Sequence, residues 1–169
     1  MAMNTSDLKA QLKQQLLNLL QQELDAAFEA VNEAHANATH EQSKPENQYD
    51  TLALEAAYLA HGQSERIAEL QDQIATLNNF ELREFKEDDQ IAAGALITLL
   101  NSDDETTRSL WLLPVAGGEV LSVKDSDNKI TTVTPDAPIA RELMGRYEGD
   151  EIVLTLPAGK QYFEIDQIS

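Results

Sequence analysis

The sequence predicts an α+β chain: an N-terminal antiparallel α-helical coiled-coil hairpin, then a small β-sheet domain with one short helix. Three observations predict it. Residues 1–79 contain a single glycine, Gly62, and a single proline, Pro45, while their apolar residues recur every three or four positions. Between the two helical stripes lies only His40-Glu41-Gln42-Ser43-Lys44-Pro45, too short for anything but a reversal. After Asn79 the pattern breaks into short β-prone runs separated by Gly, Asn and Asp turns.

The first stripe runs through Leu8, Leu12, Leu16, Leu20, Leu24, Ala27, Val31, Ala34 and Ala38. The second runs through Tyr49, Leu52, Ala56, Leu59, Gln63, Ile67, Leu70, Ile74 and Leu77. One apolar stripe per helix means each buries one face against the other. Each segment holds roughly 33 residues, a helix of ~50 Å, longer than most globular helices and suited to a coiled coil. Ser43 with Glu46 three residues on fits a capping box, and Pro45 falls in the first turn, where its missing N–H costs nothing. The first stripe turns to alanine toward the reversal, which lets the helices approach closely there.

Residues 80–89 read as a linker with a solvated acidic end, Glu87-Asp88-Asp89, and residues 90–169 as the second domain. There the β-prone runs are 91–100, 109–115, 120–123, 130–133, 151–156 and 161–168, giving about five strands. Residues 137–144 read as a short helix ended by Gly145. Gly117-Gly118 follows a strand but lacks the lysine and helix of a phosphate loop, so it reads as a plain turn. Trp111 reads as a core residue.

Charge narrows the function classes. The chain carries 30 Asp+Glu against 12 Lys+Arg, a formal charge of −18. Both halves repel phosphates, which argues against autonomous nucleic-acid binding. A basic protein surface or a metal-lined channel suits such a chain better. With no cysteine, disulfides and thiolate metal sites are excluded. No run approaches the ~18 apolar residues of a membrane span, and the polar start lacks a secretory signal, so cytoplasmic residence is expected; a monomer is the expected state, although the sequence does not fix it. His35 and His40 are five apart, the wrong spacing for one helical face, and His61 lies on the other helix; a histidine metal site is not expected. No constellation of an autonomous enzyme stands out.

Several stretches resemble the Gre-type family of bacterial transcription elongation factors (GreA/GreB). Thr134-Pro135-Asp136-Ala137-Pro138-Ile139 and the following Leu143-Met144-Gly145-Arg146, Glu148-Gly149-Asp150 resemble its C-terminal signature. Pro157-Ala158-Gly159 and Tyr162-Phe163-Glu164-Ile165 are similar to its closing strand. Glu46-Asn47 before Tyr49 resembles the hairpin tip, and Arg66-Ile67-Ala68-Glu69-Leu70 matches the second helix.

The resemblance implies an FKBP-like C-terminal domain without prolyl isomerase activity, bacterial RNA polymerase as partner, and docking at the rim of its secondary channel. Asp136, Pro138 and Ile139 would make that contact, with Ala137 where the family has serine. The plainer reading is that Pro138 starts the helix and Asp136 caps it. The resemblance further implies that acidic tip residues lend ligands to a magnesium shared with the polymerase active site, with no cofactor of the factor's own. Carboxylates suit that ion, which activates a water to cleave backtracked transcript. Here the family's leading aspartate falls on Ser43, leaving Glu46, Asp50 one turn beyond it, and Glu41 as candidates. Glu46 has its capping-box role open to it as well. Two outcomes follow: a factor that stimulates cleavage, or a channel-binding modulator that does not. A structural coiled-coil interaction protein is the reading from another class. The family's basic flank for RNA is reduced here to scattered Lys9, Lys13, Lys44 and Arg66.

Overall fold

The computed structural model describes residues 3–42 and 50–169, with side chains described for 3–36 and 54–169. Its order is α1 (Thr5–Gln42), α2 (Asp50–Asn79), β1 (Leu96–Asn101), β2 (Thr107–Leu112), β3 (Val120–Ser122), β4 (Lys129–Val133), α3 (Pro138–Leu143), β5 (Glu151–Leu156) and β6 (Gly159–Ile168). The chain is α+β, a helix pair followed by a mixed sheet. It divides into two compact units: Leu17–Asn78, and Met1–Leu16 together with Asn79–Ser169.

In the helical unit, Leu20, Leu24, Ala27 and Ala34 of α1 and Ala60, Leu70 and Leu77 of α2 are buried. The alanines at 27 and 34 bring small side chains to the seam, as the drift of the first stripe toward alanine leads one to expect, and Ala60 of α2 is buried as well. Among the described residues, one position departs from the predicted stripe. Leu59 is 55% exposed and Ala60 is buried in its place. A step of four from Ala56 reaches Ala60, and one residue is about 100° of rotation, so Leu59 turns outward.

The second unit is built on one six-stranded sheet in the order β3-β4-β2-β1-β6-β5. Only β2–β4 is parallel. The β1–β2, β1–β6, β3–β4 and β5–β6 pairs are antiparallel, with a register shift at Thr98/Leu99. All six β-prone runs form strands, one more than the approximate count of five. The first run shortens to Leu96–Asn101, because Gly94 adopts a φ of +99° and turns the chain just before it. Alternation sorts the faces. Ile97, Leu99, Leu110, Leu112, Phe163 and Ile165 share a core with Ile139, Ala140 and Leu143 of α3. Trp111 is fully buried on the other face, its indole N–H donating to the Gly94 carbonyl at 3.1 Å.

Residues 80–89 carry no helix or strand, yet they are held firmly. Lys9 and Lys13, one turn apart on α1, donate to the carbonyls of Arg83 (2.7 Å) and Phe80 (3.1 Å). Phe85 is buried in the core. Ile91 exchanges backbone hydrogen bonds with Arg146 and Gly145, which ties this stretch to the end of α3.

Candidate functional site

The turn before α3 is built by β4 ending at Val133 and by Pro138 starting the helix. Pro138 occupies the first helical turn, as expected, since its fixed φ suits that position. Asp136 is not the cap. The N-cap is Ala137, and no side chain caps the helix. Asp136 instead accepts a 2.6 Å hydrogen bond from the Thr134 hydroxyl, while the Ala137 N–H donates to the Thr134 carbonyl. The Thr134 bond, Asp136's own backbone N–H and nearby Arg141 hold its carboxyl below the usual range. Asp136 is exposed and therefore a fixed anion at neutral pH.

Ile139 does not supply the expected apolar surface beside it. It is only 8% exposed and belongs to the core cluster. The reason is helical geometry: Ile139, Ala140 and Leu143 make the inward face of a two-turn helix, so the residue after Pro138 must point at the sheet. Pro135 and Pro138 are exposed and flank the carboxylate instead. Beyond the helix, Met144 and Tyr147 are 41% and 44% exposed. The turn thus offers one oriented carboxylate among proline rings, an arrangement that fits a partner's polar groups at a protein contact.

Gly117 keeps this turn in place. A Cβ there would lie 3.1 Å from the Thr134 methyl, 3.2 Å from its hydroxyl and 3.3 Å from its backbone N. A side chain there would push Thr134 aside by a few tenths of an ångström.

The helices supply the second set of candidates. Arg66 bridges the pair, donating to Glu23 of α1 at 2.6 Å and to Glu69 of its own helix at 2.9 Å. Lys9 is 1% exposed, and Lys13 is bonded to Phe80. Among the described residues, every lysine and arginine of α1 and α2 is therefore engaged within the protein. His61 pairs with Glu65 at 3.2 Å. Among the described residues there is no group of three or more His, Asp or Glu placed to hold a metal. The side chains of Glu41, Ser43, Glu46 and Asp50 lie outside the described residues, and with them the capping box and the tip carboxylates.

Sequence reasoning missed two devices. Lys9 lies three residues before Leu12 and seven before Leu16, so the stripe itself marks it as an inward position, but its charge argued for the surface. The Thr134–Asp136 bond has a signal in the two-residue spacing typical of such turns.

The family described as "Transcription elongation factor, GreA/GreB, C-term" matches residues 86–169. The chain is 32% identical over 157 residues to the transcription elongation factor GreA of Bartonella tribocorum, covering 93% of this chain and 90% of that one. It is 26% identical over 155 residues to GreA of Vibrio cholerae, covering 89% and 90%. Among solved structures, GreA factor homolog 1 of Thermus thermophilus matches with 18% identity and a TM-score of 0.39, over 90% of this chain and 94% of that one.

Proposed function

Because the chain belongs to the GreA/GreB family of transcription elongation factors, we propose that it works on bacterial RNA polymerase, docking at the rim of the secondary channel and sending its helical hairpin inward. Its relatives are named as transcription elongation factors, not as enzymes, and the chemistry belongs to the polymerase. The observation that carries the reading is the turn before α3: Asp136 is exposed, anionic and oriented by Thr134 between two exposed prolines. We read this turn as the polymerase contact that the family resemblance implies.

Within this reading the tip residues Glu46, Asp50 and Glu41 would lend oxygen ligands to a magnesium of the polymerase active site. That ion lowers the pKa of a bound water for transcript hydrolysis. With Ser43 in place of the leading aspartate, the factor has fewer strong ligands to give. A cytoplasmic location belongs to the same proposal, since that partner works there; among the described residues no helix is long and apolar enough to cross a membrane.

A transcript-cleavage assay on stalled elongation complexes tests the tip role. Stimulation lost in Glu46→Ala supports it. Absence of stimulation by the unmodified protein rejects the metal-donor role and leaves a channel-binding modulator.

A further inference from the structure

The two edges of the sheet are finished differently. The β3 edge is capped at Ser122 by Gln15 of α1, whereas at the other end Glu151, Val153, Tyr162 and Glu164 of the β5–β6 ribbon are exposed. On that ribbon, Ile152, Leu154, Phe163 and Ile165 face the core beneath α3. Glu151 and Val153 of β5, and Tyr162 and Glu164 of β6, therefore share the opposite face. Val153 stands directly across from Tyr162, and both are open, at 38% and 46% exposure.

The neighbouring pair is Glu151 across from Glu164, two like charges at directly opposed positions. Such pairs destabilise a sheet. Among the described residues, neither glutamate nor the nearby Asp103 has a cation within ion-pair distance. Lys160 shares the face but stands across from Thr155, past Tyr162. A cleft of about 220 Å³ opens beside this face, lined by Ser102, Asp103, Glu151, Val153 and Tyr162 together with Ile152 and Phe163 of the core-facing row. Its wall is fixed, since the Ser102 N–H donates to the Tyr162 carbonyl at 2.9 Å and the Asp103 N–H to the Asn101 side chain at 2.9 Å.

We propose that this outer face docks a basic segment of a protein partner, with an arginine side chain resting against Tyr162 and Val153 between the Asp103 and Glu151 carboxylates. Arginine meets both demands of the cleft: a flat cation that stacks on an aromatic ring, and a fork of donors for carboxylates. Nucleic acid is excluded as occupant by the sign of the charge. A second copy docking through this face about a two-fold axis would bring the same uncompensated carboxylates toward one another. The face lies on the opposite side of the sheet from α3, so this contact is separate from the Asp136 turn and does not depend on the polymerase reading.

The test is an amide NMR titration of the full-length protein with hexa-arginine, using hexa-glutamine as the neutral control. Shift changes should concentrate on residues 102–103, 151–153 and 162–164. Glu151→Gln combined with Glu164→Gln should weaken binding about tenfold, as charge-assisted hydrogen bonds are lost. Tyr162→Leu should weaken it about threefold, by the cation–π share. Asp125→Asn combined with Asp127→Asn removes the same charge elsewhere and should leave affinity unchanged. Equal weakening by the two double variants would mean unspecific attraction to an acidic protein and overturns the proposal. So do shifts at these amides that depend on protein concentration without peptide, since they mark a second copy. Each variant is compared only where its peptide-free spectrum keeps the parent pattern outside the substituted residues.

Discussion

The side-chain amide of Gln15 satisfies both backbone groups of Ser122: its Nε2 donates to the Ser122 carbonyl at 3.2 Å, and its Oε1 accepts from the Ser122 N–H at 2.8 Å. Ser122 ends the three-residue edge strand β3, so Gln15 imitates the next strand and blunts an edge that would otherwise invite pairing. Replacing it with alanine should lower stability by roughly 1 kcal/mol, since water partly replaces exposed bonds. Urea unfolding reads that loss. Gln15→Glu should lose as much, because a carboxylate cannot donate to the Ser122 carbonyl.

Lys9 predicts a pH dependence with a definite sign. Burial, and then the charge of Arg83, lower its ammonium from 10.5 to about 8, against a smaller opposing pull from Glu84. Below that value both folded and unfolded chains hold the proton, and the penalty is constant. Between about 8 and 10.5 the unfolded chain binds more protons, so stability attributable to Lys9 rises with pH. Lys9→Met should lack this rise, so the difference between the two denaturation series should carry it. An unchanged slope would show that the amine is not desolvated.

Thr134 predicts how Asp136 is held. Without the hydroxyl donor in Thr134→Val, the Asp136 carboxyl should titrate at higher pH, toward the ordinary aspartate value. Carbon-detected NMR of the side chain measures it. Gly117→Ala should shift Thr134 by a few tenths of an ångström and destabilise by about 1 kcal/mol, the cost of mild overpacking.

Arg66 predicts a weak, salt-sensitive clamp between the helices. It and Glu23 are 42% and 40% exposed, so a double-mutant cycle of Arg66→Ala with Glu23→Gln should give a coupling of about 0.5 kcal/mol. High salt should diminish it.

The sequence carried much of this. Helical periodicity located both long helices, and turn residues located all six strands, because patterns of three-to-four and of two leave few alternatives. What it concealed is tertiary. Nothing local distinguishes Leu59 from Ala60 as the inward residue until the partner helix selects the smaller one. Ile139 read as surface because its family motif reads as surface, yet a helix this short must spend its apolar residues on the core. Lys9 was hidden by its charge, and Gln15 by its ordinariness; each acquires meaning only from the carbonyl or strand edge it meets. Of the candidate site, Asp136 and Pro138 proved exposed and adjacent, while Thr134, which orients the aspartate, shows only in the folded turn.

Binding to core RNA polymerase measures the central claim most directly. Fluorescently labelled protein titrated with purified bacterial core enzyme should bind saturably. Asp136→Lys, a reversal at an exposed position, should weaken that binding at least tenfold, about 1.4 kcal/mol, with circular dichroism confirming that the variant is folded. No binding by the parent protein, or equal binding by the variant, would contradict the account.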